Sequence, residues 1–307
     1  MRETHSDSTM DPLRVLEAVF PTFAIVALAY LFQKHKKLEI RPIVETALYL
    51  ASPCLVFRSL AENGQRVTQL LPVVLSATTV ILAALFISRS LFSAFHLENP
   101  DARTLPVVLI NSGNLGIPIS LFAFGEGALP VAVAYYVTCS VATYSIGIYL
   151  AARGSPDANK PYLEIFKLPL LYAVVLGTAV ALTGTSLPPL ISRPISLLAD
   201  AAIPLFVITL GMSLVGVRSS KELRAGACSA SMRISLGFLL GLACVGVFGL
   251  TGLVRGVVLL QSSMPPAVAS LMLAQKYSAR PGLVASSVMI GTLMSLVTIP
   301  LILGLLI

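Results

Sequence analysis

Apolar stretches as long as a membrane-spanning helix recur along the whole chain, separated by short connectors that carry most of the charges. A helix needs about 20 apolar residues to cross a bilayer, and inside lipid it satisfies its own backbone hydrogen bonds. By that measure the sequence predicts ten spans, at residues 14–33, 42–61, 69–92, 104–124, 128–152, 166–184, 195–216, 229–250, 254–275 and 283–307. The pattern therefore predicts an all-α polytopic membrane protein.

Composition excludes several other classes of protein. The chain is 56% hydrophobic and 11% charged, whereas a soluble domain carries about 25% charged residues. The sequence contains no P-loop lysine motif, no nucleophile elbow and no metal-ligand spacing, so we expect neither an ATP-driven pump nor a cofactor or bound metal. The net charge of +7 lies in short connectors without interleaved aromatic residues, which argues against nucleic-acid binding.

Basic residues predict the orientation in the membrane. Assigning alternate connectors to one side places 15 of the 21 lysines and arginines on that side, Arg233 among them. By the positive-inside rule that side is cytoplasmic, so both termini are predicted to be extracytoplasmic. Residues 1–11 are polar, the apolar run after them is long enough to span the membrane, and no small-residue cleavage site follows that run, so the N-terminus is not interpreted as a cleavable signal.

Two matches at nearly the same spacing indicate an internal repeat. VVLINSGN (107–114) aligns with VVLLQSSM (257–264) at an offset of 150, and SPCLVF (52–57) aligns with IPLFVI (203–208) at 151. Because each copy would contain five spans, the second copy enters the membrane from the opposite side. The sequence therefore predicts two inverted five-helix repeats, residues 1–152 and 153–307, a layout typical of secondary transporters.

Spans 4 and 9 carry helix-breaking residues near their centres. We expect span 4 to break at NLGIP, ending in Pro118, and span 9 to break at SSMPP, ending in Pro265 and Pro266. Each break would start a new half-helix whose free N–H groups carry roughly half a positive charge. Such backbone is tolerated only where it lines a cavity or is buried in protein. The breaks thus predict an anion-binding substrate site, although a single proline kink often serves packing alone.

The predicted substrate-binding residues belong to these two breaks: Asn111, Ser112, Asn114, Gly116, Pro118, Gln261, Ser262, Ser263, Met264, Pro265 and Pro266. Thr138 and Tyr144 in span 5 are secondary candidates, since hydroxyls in such helices often bond only their own backbone. Asp200 in span 7 is a candidate proton or cation site, because a lone carboxylate in a span is costly. Its alternative is structural: it reaches the surface or pairs with Arg193 or Arg255.

The amide-bearing break in span 4, QSSMPPAVAS in span 9 and AAIPLFVITLGMSL in span 7 together resemble the auxin efflux carrier family in its compact prokaryotic form. The resemblance implies a fold like that of the bile-acid/sodium symporters, with spans 4 and 9 crossing. It also implies a scaffold of spans 1, 2, 6 and 7, a moving transport domain of spans 3–5 and 8–10, and a bacterial inner membrane. The plant carriers' long central loop and their acidic residue in span 3 have no counterpart here, so auxin and the plant coupling mechanism do not carry over.

These observations favour a secondary transporter that moves a small organic anion, such as a dicarboxylate or weak carboxylic acid, by elevator-type alternating access. Its other partner is membrane lipid, and its small-residue faces are compatible with a homodimer. A sodium-coupled symporter of the bile-acid type stays open because neutral oxygens suit sodium, and proton coupling stays open as well. A membrane sensor or receptor would predict an appended signalling domain. A membrane-embedded enzyme would predict a nucleophile–base or metal constellation.

Overall fold

A computed structural model describes residues 12–62, 70–153, 168–215 and 222–306. Within those ranges the chain is helical, and its only β-type pairing is one isolated bridge. Among the residues that the structure describes, seven helices are long and apolar enough to cross a membrane, and three shorter apolar helices accompany them. The predicted all-α membrane fold is confirmed. Residues 1–11, the connector 154–167 and the basic residues Arg66, Arg218 and Lys221 lie outside the described residues.

The helices follow one another in the order that the apolar stretches predict. They are α1 (Pro12–Lys36), α2 (Arg41–Ala61), α3 (Leu71–Ala94), α4a (Pro100–Val108), α4b (Ser112–Phe124), α5 (Glu126–Ala152), α6 (Pro169–Thr183), α7 (Pro189–Leu214), α8 (Leu223–Val247), α9a (Gly252–Ser262), α9b (Val268–Lys276) and α10 (Pro281–Gly304).

Proline sets many of the helix starts. It stands in the first two positions of α2, α3, α4a, α6, α7 and α10, where its missing N–H costs nothing. The corresponding residues Pro53 and Pro204 behave differently: Pro53 directly follows a π-helical turn, Ala47–Ala51, while Pro204 lies inside an uninterrupted α7. A proline in a span therefore does not by itself predict a break.

The helices pack in two groups. In the first group α2 packs along α6 and α7, and α1 packs along α7. In the second group α8 packs along α10, α3 and α9a, and α3 packs along α4a and α5. Glycines allow close approach within each group: a Cβ on Gly211 of α7 would strike the Val26 carbonyl of α1, and one on Gly226 of α8 would strike Ser286 of α10.

Ion pairs join helix ends on one face of the second group. Asp101 pairs with Arg89 at 2.8 Å and with Arg153 at 3.5 Å. Arg280 pairs with both Glu98 and Glu222, which connects the α4a end of the molecule to the start of α8 and α10. These contacts bring together helix ends from both halves of the chain.

Candidate functional site

The interruptions in α4 and α9 cross each other inside the helical bundle. Ile110 and Pro266 form an antiparallel bridge between the two extended segments, residues 109–111 and 263–267. The Asn111 N–H donates to the Pro265 carbonyl at 2.9 Å, and the Ala267 N–H donates to the Leu109 carbonyl at 2.8 Å. Each break thereby satisfies backbone groups of the other, as non-helical backbone away from water requires.

The break in α9 falls at the predicted SSMPP, but the prediction for α4 was wrong. Pro118 lies inside α4b, and the chain leaves the helix earlier, at residues 109–111. Upstream of Pro118 the Gly116 N–H donates to the Asn111 carbonyl, five residues back, at 3.1 Å. This π-helical turn, Ser112–Gly116, changes the hydrogen-bonding register just before the proline, so the missing N–H does not end the helix.

A cavity of about 750 Å³ lies beside the crossover, between the two packing groups. α2 and α7 line one side, and the two breaks, α5 and α9b line the other. Side chains from the two sides contact each other. Tyr136 Oη and Ser52 Oγ share a hydrogen bond at 3.1 Å, and Asn114 Nδ2 donates to Thr209 Oγ1 at 3.3 Å. The ring centroids of Tyr136 and Phe206 are 5.6 Å apart. The cavity extends from these residues to the exposed side chains of Arg41, Glu45 and Lys276.

Four of the predicted site residues line this cavity: Asn111, Ser112, Asn114 and Tyr144. Asn111 is 3% exposed, and its Nδ2 has no hydrogen-bond partner among the residues that the structure describes. Ala267 and Val268 also line the cavity, so the first residues of both α4b and α9b border it. The positive ends of two half-helices therefore face the same space.

The other predicted residues of the α9 break lie behind the cavity wall. Gln261 is fully buried, donates weakly from Nε2 to Ser120 Oγ at 3.4 Å, and packs against Gly116. The hydroxyls of Ser262 and Ser263 both donate to the Leu259 carbonyl within α9a. The remaining predicted residues that are absent from the cavity lining are Gly116, Pro118, Met264, Pro265, Pro266 and Thr138.

Asp200 lies away from the crossover cavity. Its carboxylate accepts a hydrogen bond from Arg58 Nη1 at 2.7 Å, and its side chain is 67% exposed. The alternative that paired it with Arg193 or Arg255 named the wrong arginine, because α7 packs against α2 and thereby faces Arg58. The charged residues among those lining the crossover cavity are Arg41, Glu45 and Lys276, all at its exposed end.

Sequence reasoning did not single out Arg233: it counted this residue with the basic residues of the cytoplasmic side, although the residue falls inside the predicted span 229–250. The residue lies within α8 and is completely buried. Its Nη1 donates to the Val107 carbonyl at 2.8 Å and its Nη2 donates to the Ser262 carbonyl at 2.7 Å, at the ends of α4a and α9a. Gly237, one turn along α8, leaves the space that the guanidinium occupies. An arginine inside an apolar stretch, followed four residues later by glycine, was the available signal.

Sequence comparisons with known proteins match most of the chain. The profile of a family described as membrane transport protein matches residues 14–161 and 158–303. An uncharacterized transporter of Methanocaldococcus jannaschii is 27% identical over 306 residues, covering 95% of this chain and 98% of the relative. An uncharacterized transporter of Methanothermobacter thermautotrophicus is 27% identical over 299 residues, covering 96% and 97%. A probable auxin efflux carrier component of Oryza sativa is 25% identical over 141 residues, covering 43% of this chain and 25% of the carrier.

Proposed function

The chain belongs to the membrane transport protein family, to which auxin efflux carriers are related, and on this premise we propose that it is a secondary transporter of a small organic anion. The family comprises membrane transporters and not enzymes, so the cavity beside the crossover is interpreted as a substrate site. The substrate that we propose carries a carboxylate group.

The unpartnered amide of Asn111 is the observation that carries this proposal. A buried N–H group without an acceptor costs about 1–3 kcal/mol, so a ligand oxygen would be favoured once side-chain motion opens Nδ2, which is buried in this structure, to the cavity. The starts of α4b and α9b add partial positive charge, while the carboxylate among the lining residues, Glu45, lies at the exposed end and pairs with Arg41 at 2.8 Å. A carboxylate satisfies both requirements, whereas an ammonium group offers no acceptor.

The packing of the helices supports an elevator-type mechanism of alternating access. The cavity lies between the two groups. Both breaks lie against helices of the group built from α3, α4, α5, α8, α9 and α10, and α4b also packs against α1 and α7 of the other group. We propose that this group is the transport domain and that α1, α2, α6 and α7 form the scaffold. Sliding of this transport domain against the scaffold would carry the bound anion across the membrane. We also propose that helices α1–α5 and α6–α10 are inverted repeats, because the two crossing breaks stand at corresponding places in them.

The exposed end of the cavity gives the proposed orientation. Arg41 and Lys276 line this end and lie on the side that the positive-inside rule makes cytoplasmic. The structure would then be an inward-open conformation, with both termini extracytoplasmic. A reporter fused after Ile307 should score as extracytoplasmic and one inserted at Ser219 as cytoplasmic. The reverse result at either position would contradict the orientation.

Ligand-dependent thermal stabilisation of the purified protein tests the proposed function. A panel of carboxylates and of amines of matched size is added with sodium present or replaced by N-methylglucamine. Because a ligand that binds only the folded state raises its stability, at least one carboxylate should raise the melting temperature and the matched amine should not. Stronger stabilisation by an amine would contradict the proposal. Stabilisation by a carboxylate only with sodium present would favour the sodium-coupled alternative.

A further inference from the structure

Arg233 is a buried cation without a carboxylate. None of the ion pairs among the described residues includes it, and its Nε has no hydrogen-bond partner there. Its two terminal nitrogens bind backbone carbonyls, which are neutral groups. Burying an unpaired charge is expensive, so a role beyond packing is expected for this residue.

Four half-helix ends meet at the crossover, and their charges oppose one another. The starts of α4b and α9b each carry roughly half a positive charge, and the ends of α4a and α9a each carry roughly half a negative charge. Taken alone, these four ends cancel. The guanidinium binds the Val107 and Ser262 carbonyls at the two negative ends, so the crossover as a whole holds about one net positive charge.

We propose that Arg233 is the residue that sets the charge selectivity of the crossover site, an inference that rests on the proposed transport of an organic anion. Arg233 does not line the cavity, but it binds the Val107 carbonyl, three residues before the cavity-lining Ile110. It therefore acts on the substrate through its electrostatic field and through the ends of α4a and α9a, whose carbonyls it binds. It is a positioning and specificity-determining residue and makes no direct contact with the ligand.

The shape of the guanidinium suits this position better than an ammonium group would. Two nitrogens of one rigid fork reach two carbonyls that belong to different halves of the chain, Val107 and Ser262. A Cβ at position 237 would collide with both the guanidinium and the Ser262 carbonyl, so Gly237 keeps the position open. Lysine would keep the charge there but would lose the simultaneous contact with both half-helices.

The test compares a carboxylate with its own amide, because the two differ mainly in charge. Dissociation constants for benzoate and benzamide, and for succinate and succinamide, are measured by thermal stabilisation of the wild-type protein and of the Arg233→Gln, Arg233→Met and Arg233→Lys variants. Arg58→Gln is the matched control, since it removes an arginine whose partner, Asp200, lies outside the cavity.

We expect the preference for carboxylate over amide to fall by about tenfold in Arg233→Gln and Arg233→Met, because a unit charge roughly 10 Å away at an effective dielectric near 20 changes anion affinity by about that factor. Arg233→Lys should retain the preference at about pH 6, where the ammonium is protonated, while melting at a lower temperature, and Arg58→Gln should leave the preference unchanged. A neutral variant that keeps the wild-type preference would overturn the inference, because a purely structural role would weaken both ligands equally.

If neither neutral variant folds, the Arg233→Lys variant decides the question. The groups facing this position from α5 are Tyr135 and Cys139, with no carboxylate beside it among the described residues. A buried ammonium loses its proton more readily than a guanidinium, so the preference should fall between about pH 6 and about pH 9 in the variant alone. An unchanged preference across that range would overturn the inference.

The same measurements separate this inference from the proposed function. Absence of stabilisation of the wild-type protein by either carboxylate would contradict the proposed function itself, together with the role of Arg233. Stabilisation by a carboxylate that persists with unchanged preference in the neutral variants would contradict only the role of Arg233.

Discussion

The two helix breaks occupy corresponding positions in the sequence, yet they present different atoms to the cavity. The break in α4 contributes the polar side chains of Asn111, Ser112 and Asn114. The break in α9 contributes the apolar residues Ala267 and Val268, and its own polar side chains are buried behind them. Similar segments in the two halves therefore do not imply similar contributions to the site: we infer that α4 recognises the ligand and α9 supports it.

Glycines in α4b explain part of this difference. Position 116 has no side chain, and the Gln261 amide of α9a occupies the space that a Cβ would fill. Position 113 likewise leaves room for Tyr136, whose Cε2 would lie 2.7 Å from a Cβ there. Both amides keep one atom without a partner among the described residues, Asn111 Nδ2 and Gln261 Oε1, but Gln261 is packed between the two helices whereas Asn111 lines the cavity.

The strongest test of this difference replaces the two corresponding amides. Asn111→Leu should weaken carboxylate binding by about tenfold or more, because a hydrogen bond to a charged group contributes about 1.5–3 kcal/mol. Gln261→Leu should weaken it by less than about threefold, since that side chain lies outside the cavity. Dissociation constants from thermal stabilisation give both values, and melting temperatures without ligand control for folding. Equal losses in the two variants would remove the distinction between the breaks.

A second prediction concerns the contact between the breaks. Gly116→Ala should destabilise the protein by about 1–3 kcal/mol, because the new methyl group meets the Gln261 amide in a tightly packed place. The melting temperature should partly recover in the Gly116→Ala, Gln261→Ala double variant.

Gly127→Ala is the matched control for that prediction. A Cβ at position 127 would meet only Leu253 Cδ2, at 3.9 Å, which is an ordinary contact distance. If Gly116→Ala were as mild as Gly127→Ala, or if the double variant recovered nothing, the role of Gln261 as a packing group against α4b would be refuted.

The smallest expected effect is that of sodium, and it concerns the C-terminal ends of the half-helices α4a and α9a. Carbonyls at half-helix ends are common sodium ligands in transporters, but here Arg233 already binds those of Val107 and Ser262. Replacing sodium by N-methylglucamine should therefore change carboxylate affinity by less than about twofold. Measurement of the dissociation constant in both media checks this, and a large loss without sodium would indicate a cation site elsewhere in the cavity.

Much of this architecture could be predicted because hydrophobic length and proline placement act locally. The apolar stretches predicted the helices, and SSMPP predicted the break in α9. What failed depends on contacts between distant segments. The α4 break lies at residues 109–111 because its backbone pairs with Pro265, and Asp200 finds Arg58 because α7 packs against α2. Arg233 was counted only for the topology because its partners, Val107 and Ser262, are 126 and 29 residues away.

Substrate protection of a cysteine in the cavity tests the central claim most directly. Ala269 lies in α9b, lines the cavity and is partly exposed, so Ala269→Cys should react with a water-soluble thiol reagent in a background where Cys54, Cys139, Cys228 and Cys244 are replaced by serine. Glu39→Cys in the same background places a thiol on an exposed connector outside the cavity. The account predicts that the most stabilising carboxylate slows labelling at position 269 but not at position 39, and that the matched amine slows neither. Two results would contradict an anion site at the crossover: the amine protects position 269, or the carboxylates that stabilise the protein all leave its labelling rate unchanged.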